Sequence, residues 1–163
     1  SQTAEYFKNK FSLEDSIEEI MNDWNTMAYN YYTNDIKLKP GALQYLLKLK
    51  ELGIKIGLAT SNSMHLLTTT LKSNNAFELF DAITVTDEVE KSKSNPDIYL
   101  LAAKKLGVNP SECMVFEDII AAVYGAKLAG MKVTGVYDKH SEHQIDILKK
   151  ECDNYIYNYE DLI

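Results

Sequence analysis

Apolar residues recur along this chain in two rhythms. Leu13, Ile17, Ile20, Trp24, Met27 and Tyr31 stand three or four apart, which predicts a helix over 12–32 with one buried face. Ser12 and Asp15 form a capping-box-like pair at its start. Trp24 and Met27 suit packing, and Tyr29, Tyr31 and Tyr32 fit either a groove lining or an amphipathic interface. The polar stretch 35–39 predicts a hinge. Pro40 then suits the first turn of a second helix and Gly53 its stop, with Leu43, Leu46, Leu47 and Leu49 on its buried side.

From there the rhythm shortens. An apolar run over 54–59 predicts a strand, and Met64, Leu67 and Leu71 mark a helix that Asn74-Asn75 ends. Strands are expected at 82–85, 114–116, 133–136 and 155–157. Helices are expected at 97–106, stopped by Gly107, then at 119–129 and 142–150, with a helix start at 160–163. Strands alternating with helices predict an α/β fold: parallel βαβ units with helices on both faces of the sheet.

The chain has 163 residues, 45% hydrophobic and 25% charged, which fits one globular domain or one domain with a small appendage. Its formal net charge is −7, with no Lys/Arg cluster interleaved with aromatics. That excludes nucleic acid as the expected partner. It also requires any phosphate site to be local, built from a lysine, a metal and backbone N–H groups. Cys113 and Cys152 lack metal-type spacing and read as reduced thiols, so a cytoplasmic location is expected. No stretch is long and apolar enough for a membrane span, and no signal peptide is evident. The first residue is Ser1 rather than Met, from which a processed or truncated product is expected.

Three loops that follow strands or precede helices carry candidate chemistry. Thr60-Ser61-Asn62-Ser63 follows the strand at 54–59. Short hydroxyls and an amide at a helix N-terminus suit an anion, because backbone N–H groups there are unpaired. The alternative is that Ser61 or Ser63 is a helix cap. Lys93, between Ser92 and Ser94 and just before a helix, is placed to stabilise a transferring phosphoryl group. Lys91 beside it is the solvated counterpart. Glu117-Asp118 ends the strand at 114–116. Adjacent carboxylates at a strand tip suit Mg²⁺, and Asp is also an ordinary N-cap. His140, His143 and His65 read as surface residues, with substrate contact a second possibility for His65.

The order of these segments carries more than each alone. Gly53-Ile54-Lys55-Ile56-Gly57-Leu58-Ala59-Thr60-Ser61-Asn62 comes first. Lys93-Ser94-Asn95-Pro96-Asp97-Ile98-Tyr99 follows, then Phe116-Glu117-Asp118, with Ala129-Gly130-Met131 closing a helix. The set resembles the haloacid dehalogenase superfamily from about Ser12 to the C-terminus, in the helical-cap subfamily of β-phosphoglucomutases and sugar-phosphate phosphatases. The resemblance implies a three-layer, Rossmann-like parallel sheet over 37–163 and part of a small helical cap over 1–36. It implies an Mg²⁺-dependent phosphatase acting on a small phosphorylated metabolite, such as a sugar phosphate, through an aspartyl-phosphate. By the same resemblance, Thr60, Ser61, Asn62 and Lys93 bind phosphate, with Thr60 and Lys93 catalytic. Asp118 ligates Mg²⁺, and Glu117 does so directly or through water. A phospho-acceptor receiver domain combines similar groups, but its acidic pair comes first and its lysine last.

The family's first motif, Asp-x-Asp after a first strand, has no counterpart here. Asp15, Asp23 and Asp35 are the aspartates before Thr60, and none follows an apolar run or has a second Asp two positions on. The core is therefore expected to lack its first strand, which in the family lies between the strands ending at Thr60 and Glu117. The gap is expected to be closed by direct pairing, by another chain or by a separate N-terminal segment. Ile119 replaces the usual Ser after Glu-Asp, and Ser94 replaces a frequent Pro. Met27 falls where the mutase-type cap carries a basic residue, which favours a phosphatase over the alternatives, a β-phosphoglucomutase-like phosphotransferase or a non-catalytic fragment.

Overall fold

The computed structural model describes residues 2–163. Its first helix, α1 (Gln2–Phe11), precedes the expected one. Ser12 then takes a left-handed φ of 49°, just past the end of that helix. Helix α2 (Ile17–Asn34) starts five residues later than the sequence suggests, capped by Ser16 rather than Ser12. Ser16 Oγ accepts from Glu19 N at 3.1 Å, and the Glu19 carboxylate accepts from Ser16 N at 2.8 Å. Ser12-x-x-Asp15 has the same spacing, but Glu is a residue type of the capping box and reaches back further than Asp. The expected hinge is pinned: Asn74 Oδ1 accepts from Leu38 N at 3.3 Å, and its Nδ2 donates to Ile36 O at 3.0 Å.

The core follows as α3 (Ala42–Glu51), β1 (Gly57–Thr60), α4 (Met64–Ser73), β2 (Ala82–Val85), α5 (Asp97–Leu106), β3 (Met114–Glu117), α6 (Ile120–Leu128), β4 (Lys132–Val136), α7 (Ile145–Glu151) and β5 (Asn154–Ile156). The expected elements are present with shifted ends. Residues 54–56 stay outside the ladder, since pairing begins at Gly57 opposite Ala82. A 3₁₀ turn, Tyr159–Leu162, stands at the expected last helix.

All pairings are parallel, but the strands form two sheets, β1-β2 and β3-β4-β5. Among the described residues no ladder joins β1 to β3. Direct pairing, one of the expected ways to close the gap, does not occur. Both sheets nonetheless share the same two helical layers, because strand side chains alternate between faces. Ala59 of β1 and Val115 of β3 pack against the cluster of Ile98, Val123, Ala126, Val133 and Leu148, which comes from α5, α6, β4 and α7. The next or previous residue faces the other way. Leu58 packs against the cluster of Leu67 and Leu71 of α4, as does Leu43 of α3. Phe116 meets Tyr45 of α3 and Tyr159 at ring separations of 5.7 and 5.5 Å. The result is three layers with a seam along the middle one.

Candidate functional site at the seam

The C-terminal ends of β1 and β3 open onto one cleft of about 540 Å³. Thr60, Ser61, Asn62, Lys93, Glu117 and Asp118 all line it, so the structure brings every sequence-predicted site residue together.

The loop after β1 divides its labour. Ser63 caps α4, its Oγ accepting from Leu66 N at 3.5 Å. That leaves Ser61 for the cleft. Thr60 Oγ1 accepts from Asn62 N at 3.1 Å, so its own O–H remains available to donate. The Tyr32 hydroxyl of α2 donates to Asn62 Oδ1 at 3.3 Å, which ties the N-terminal helices to this loop. Tyr29 stacks on His65 with ring centres 5.3 Å apart.

Lys93 sits on a tight turn in which Asn95 N donates to Ser92 O at 2.9 Å. The loop lies so close to α6 that a Cβ at Gly125 would fall 2.0 Å from Lys93 O and 2.8 Å from Asn95 O. The Lys93 ammonium forms an ion pair with Glu117 Oε1. The same oxygen accepts from the Tyr99 hydroxyl at 2.9 Å, and the Tyr99 ring lies 5.9 Å from the ammonium. Tyr99 is only 2% exposed. Burial first, then the Glu117 carboxylate, pushes its phenol far above the ordinary range, so it stays a donor. Glu117 itself is 9% exposed; a carboxylate so placed requires partners, and Lys93 and Tyr99 supply them.

Asp118 behaves differently. Its side chain is about one-third exposed, and Oδ2 lies 3.6 Å from Lys39 Nζ. It is not the cap of α6: that position is Ile119, and the side-chain acceptor at the helix start is Gln144 Oε1, 2.9 Å from Ile120 N. The Asp118 carboxylate is thus left facing the cleft. Lys39 also reaches Asp138 Oδ2 at 2.5 Å and Tyr137 O at 3.0 Å. That ammonium holds the Asp138 carboxyl below its usual range. Tyr159, behind the site, is raised by burial first and then by Asp118.

Sequence reasoning missed Tyr99 as a partner of Glu117, Gly125, and the pair Lys39–Asp138. Gly125 did carry a signal, since a glycine inside an apolar helix points to close backbone approach. Lys39 carried none, because a lysine in a polar stretch looks solvated.

A family model described as haloacid dehalogenase-like hydrolase matches residues 1–136. The chain belongs to that family. YhcW of Bacillus subtilis (strain 168) is 47% identical over 103 residues, 63% of this chain and 47% of YhcW. Validoxylamine A 7'-phosphate phosphatase of Streptomyces hygroscopicus subsp. limoneus is 31% identical over 114 residues, 68% of this chain and 54% of that protein. Hexitol phosphatase B of Escherichia coli (strain K12) is 34% identical over 95 residues, 58% of this chain and 43% of that protein. The chain therefore spans about half the length of these relatives. Among solved haloacid dehalogenase folds, CbbY from Rhodobacter sphaeroides in complex with phosphate superposes with a TM-score of 0.79 at 25% identity, covering 92% of this chain and 67% of that one. β-Phosphoglucomutase from Clostridium difficile gives 0.70 at 26% identity, covering 98% and 69%. Among the described residues no helix is long and apolar enough to cross a membrane.

Proposed function

We propose that this chain is the phosphate- and metal-binding part of an Mg²⁺-dependent phosphatase for small phosphorylated metabolites such as sugar phosphates. The observation that carries the reading is the cleft itself. Hydroxyl and amide donors from one strand end, a lysine, and carboxylates from the next strand end converge on it. The names of two relatives, a hexitol phosphatase and a validoxylamine phosphate phosphatase, agree with that substrate class.

In this reading Thr60 donates its hydroxyl to a phosphate oxygen, with Ser61 and Asn62 beside it. Lys93, held by Glu117, offers its remaining N–H groups to the phosphate and neutralises charge as the ester bond breaks. Asp118 fits a divalent cation: it is a carboxylate about one-third exposed at a strand end, with a protein ammonium already drawn to it. Bound there, Mg²⁺ would supply charge neutralisation for the transferring group. Glu117 Oε1 is taken by two protein donors, so we assign Glu117 chiefly to Lys93, with the metal reached at most by its other oxygen. α1 and α2 form part of a cap over the cleft. Met27, exposed on α2, offers no charge for a second phosphate, which favours hydrolysis over mutase chemistry.

The nucleophile is an aspartate outside these residues. We place it on a strand seated between β1 and β3, supplied by a separate segment or another chain. Its carboxylate attacks phosphorus, the alcohol leaves, and water hydrolyses the aspartyl-phosphate. The test is release of phosphate from p-nitrophenyl phosphate and hexose phosphates. This chain alone should show background rates. A longer form with an Asp-x-Asp strand ahead of it should turn over and lose activity on Asp118→Ala. Hydrolysis by the 163-residue chain that survives Asp118→Ala would refute the mechanism.

A further inference from the structure

Lys39 belongs to none of the motifs that define the site, yet it is the cation nearest Asp118. It projects from the segment between α2 and α3. Its ammonium touches Asp138 Oδ2 at 2.5 Å and Tyr137 O at 3.0 Å, and lies 3.6 Å from Asp118 Oδ2. Asp118 directly follows β3, and Asp138 stands just beyond β4. Because β3 and β4 pair in parallel, their C-terminal ends lie side by side, and one lysine spans both. The distances are unequal: the ammonium is bound to Asp138 and only leans toward Asp118. The three side chains are each about one-third exposed or less, so the interaction is only partly screened.

We infer that Lys39 and Asp138 are a positioning pair that sets the cation affinity of Asp118. The inference rests on the reading of Asp118 as the metal-holding carboxylate. Lys39 neutralises Asp118 while no divalent cation is held, and it repels one that arrives. Asp138 draws the ammonium aside and limits that repulsion. The two partners therefore act in opposite directions on the same carboxylate, which a merely structural salt bridge would not do.

Mn²⁺ alone is the probe, titrated at fixed pH into the full chain and followed by the electron paramagnetic resonance signal of the free ion. Lys39→Met should tighten binding roughly two- to fivefold, the scale of losing one partly exposed charge interaction. Asp138→Asn releases Lys39 onto Asp118 and should weaken binding by a similar factor. Lys39→Arg keeps the cation and should stay near the parent chain. Asp118→Asn should abolish the site. Circular dichroism melts check folding, and Lys39→Gln carries the same expectation should Lys39→Met not fold. Equal affinity of Lys39→Met and the parent chain, with Asp118→Asn still abolishing binding, overturns the role of Lys39 and leaves the metal reading standing. Equal binding by the parent chain and Asp118→Asn, or none by either, overturns the metal reading and the inference with it.

Discussion

In the three-stranded half of the core, Asp153 stands just before β5 and grips β4: its N–H donates to Val133 O and its Oδ2 accepts from Val133 N, both at 2.8 Å. In the two-stranded half, Asp81 stands just before β2 and grips Ile56 in the same way, at 2.8 and 2.7 Å. The pins match, but the strands they serve do not. β4 has a neighbour on each side, and its Val133 and Val136 are almost wholly buried. β1 and β3 each have one ladder partner, and both remain partly exposed. Local sequence thus builds each half, while the edge between them stays open. The candidate site lies at the end of that edge. Unpaired backbone at a strand edge is a template for another strand, so the open seam and the proposed nucleophile strand call for the same element.

Closing the seam should give the largest effect. An Asp-x-Asp strand joined ahead of the chain or added in trans should raise phosphatase turnover from background to the order of 10 s⁻¹, a common enzyme value. Amide exchange in β1 and β3 should slow on addition, while β4 should change little. If β1 and β3 exchange as slowly as β4 without any added strand, the seam is already closed and the comparison fails.

The next effect tests how α6 of the three-stranded half holds the lysine loop. Gly125→Ala places a methyl group against two backbone carbonyls, which cannot rotate away. We expect a loss of about 3 kcal/mol, at the upper end of overpacking costs, measured by urea unfolding. Displacement of Lys93 should accompany it, read as weaker inorganic phosphate binding. A variant as stable as the parent chain would show that the loop has room to move.

Tyr99→Phe sharpens the same point on a smaller scale. It keeps the ring under Lys93 and removes only the donor to Glu117. Loss of a hydrogen bond to a charged group should cost about 1.5 kcal/mol in denaturant unfolding. No change in stability would mean that Lys93 alone satisfies Glu117.

Much of this was legible in the sequence, for identifiable reasons. The alternation of apolar runs located each core strand and helix, because burial on a pleated or helical face leaves a period that neighbours cannot disguise. Thr60 and Asp118 were legible as candidates because each stands at the tip of a strand, and Lys93 because it lies in the loop shortly before a helix. Element boundaries were less so: Ser12-x-x-Asp15 and Ser16-x-x-Glu19 carry the same signature, and α1 has an exposed aromatic face of Tyr6, Phe7 and Phe11 that imitates no core helix. The Lys39–Asp138 contact joins residues 99 positions apart. No local pattern marks such a pair, since Lys39 lies on the segment between α2 and α3 and meets the end of β4 only through the tertiary fold.

The smallest expected effect distinguishes the two aspartate pins by charge. Asp81 also receives a hydrogen bond from Lys50 at 2.8 Å. That ammonium first, and the Ile56 N–H second, hold its carboxyl below the ordinary aspartate value. A carboxyl lowered in the folded state stabilises the fold above its unfolded value, and the contribution disappears as pH falls through the folded value. Asp81→Asn keeps an acceptor for Ile56 N but removes the charge. The variant should therefore be slightly less stable than the parent chain at pH 7. The difference should shrink below pH 3.8 and vanish once Asp81 is protonated. Because both side chains of the pair are about one-third exposed, molar salt should reduce the difference at pH 7 as well. Thermal melts of both proteins across pH and salt measure it. A difference that is the same at pH 3 and pH 7 would mean that the pin works by geometry alone, leaving the two halves alike in how they are fastened and unlike only in how they are covered.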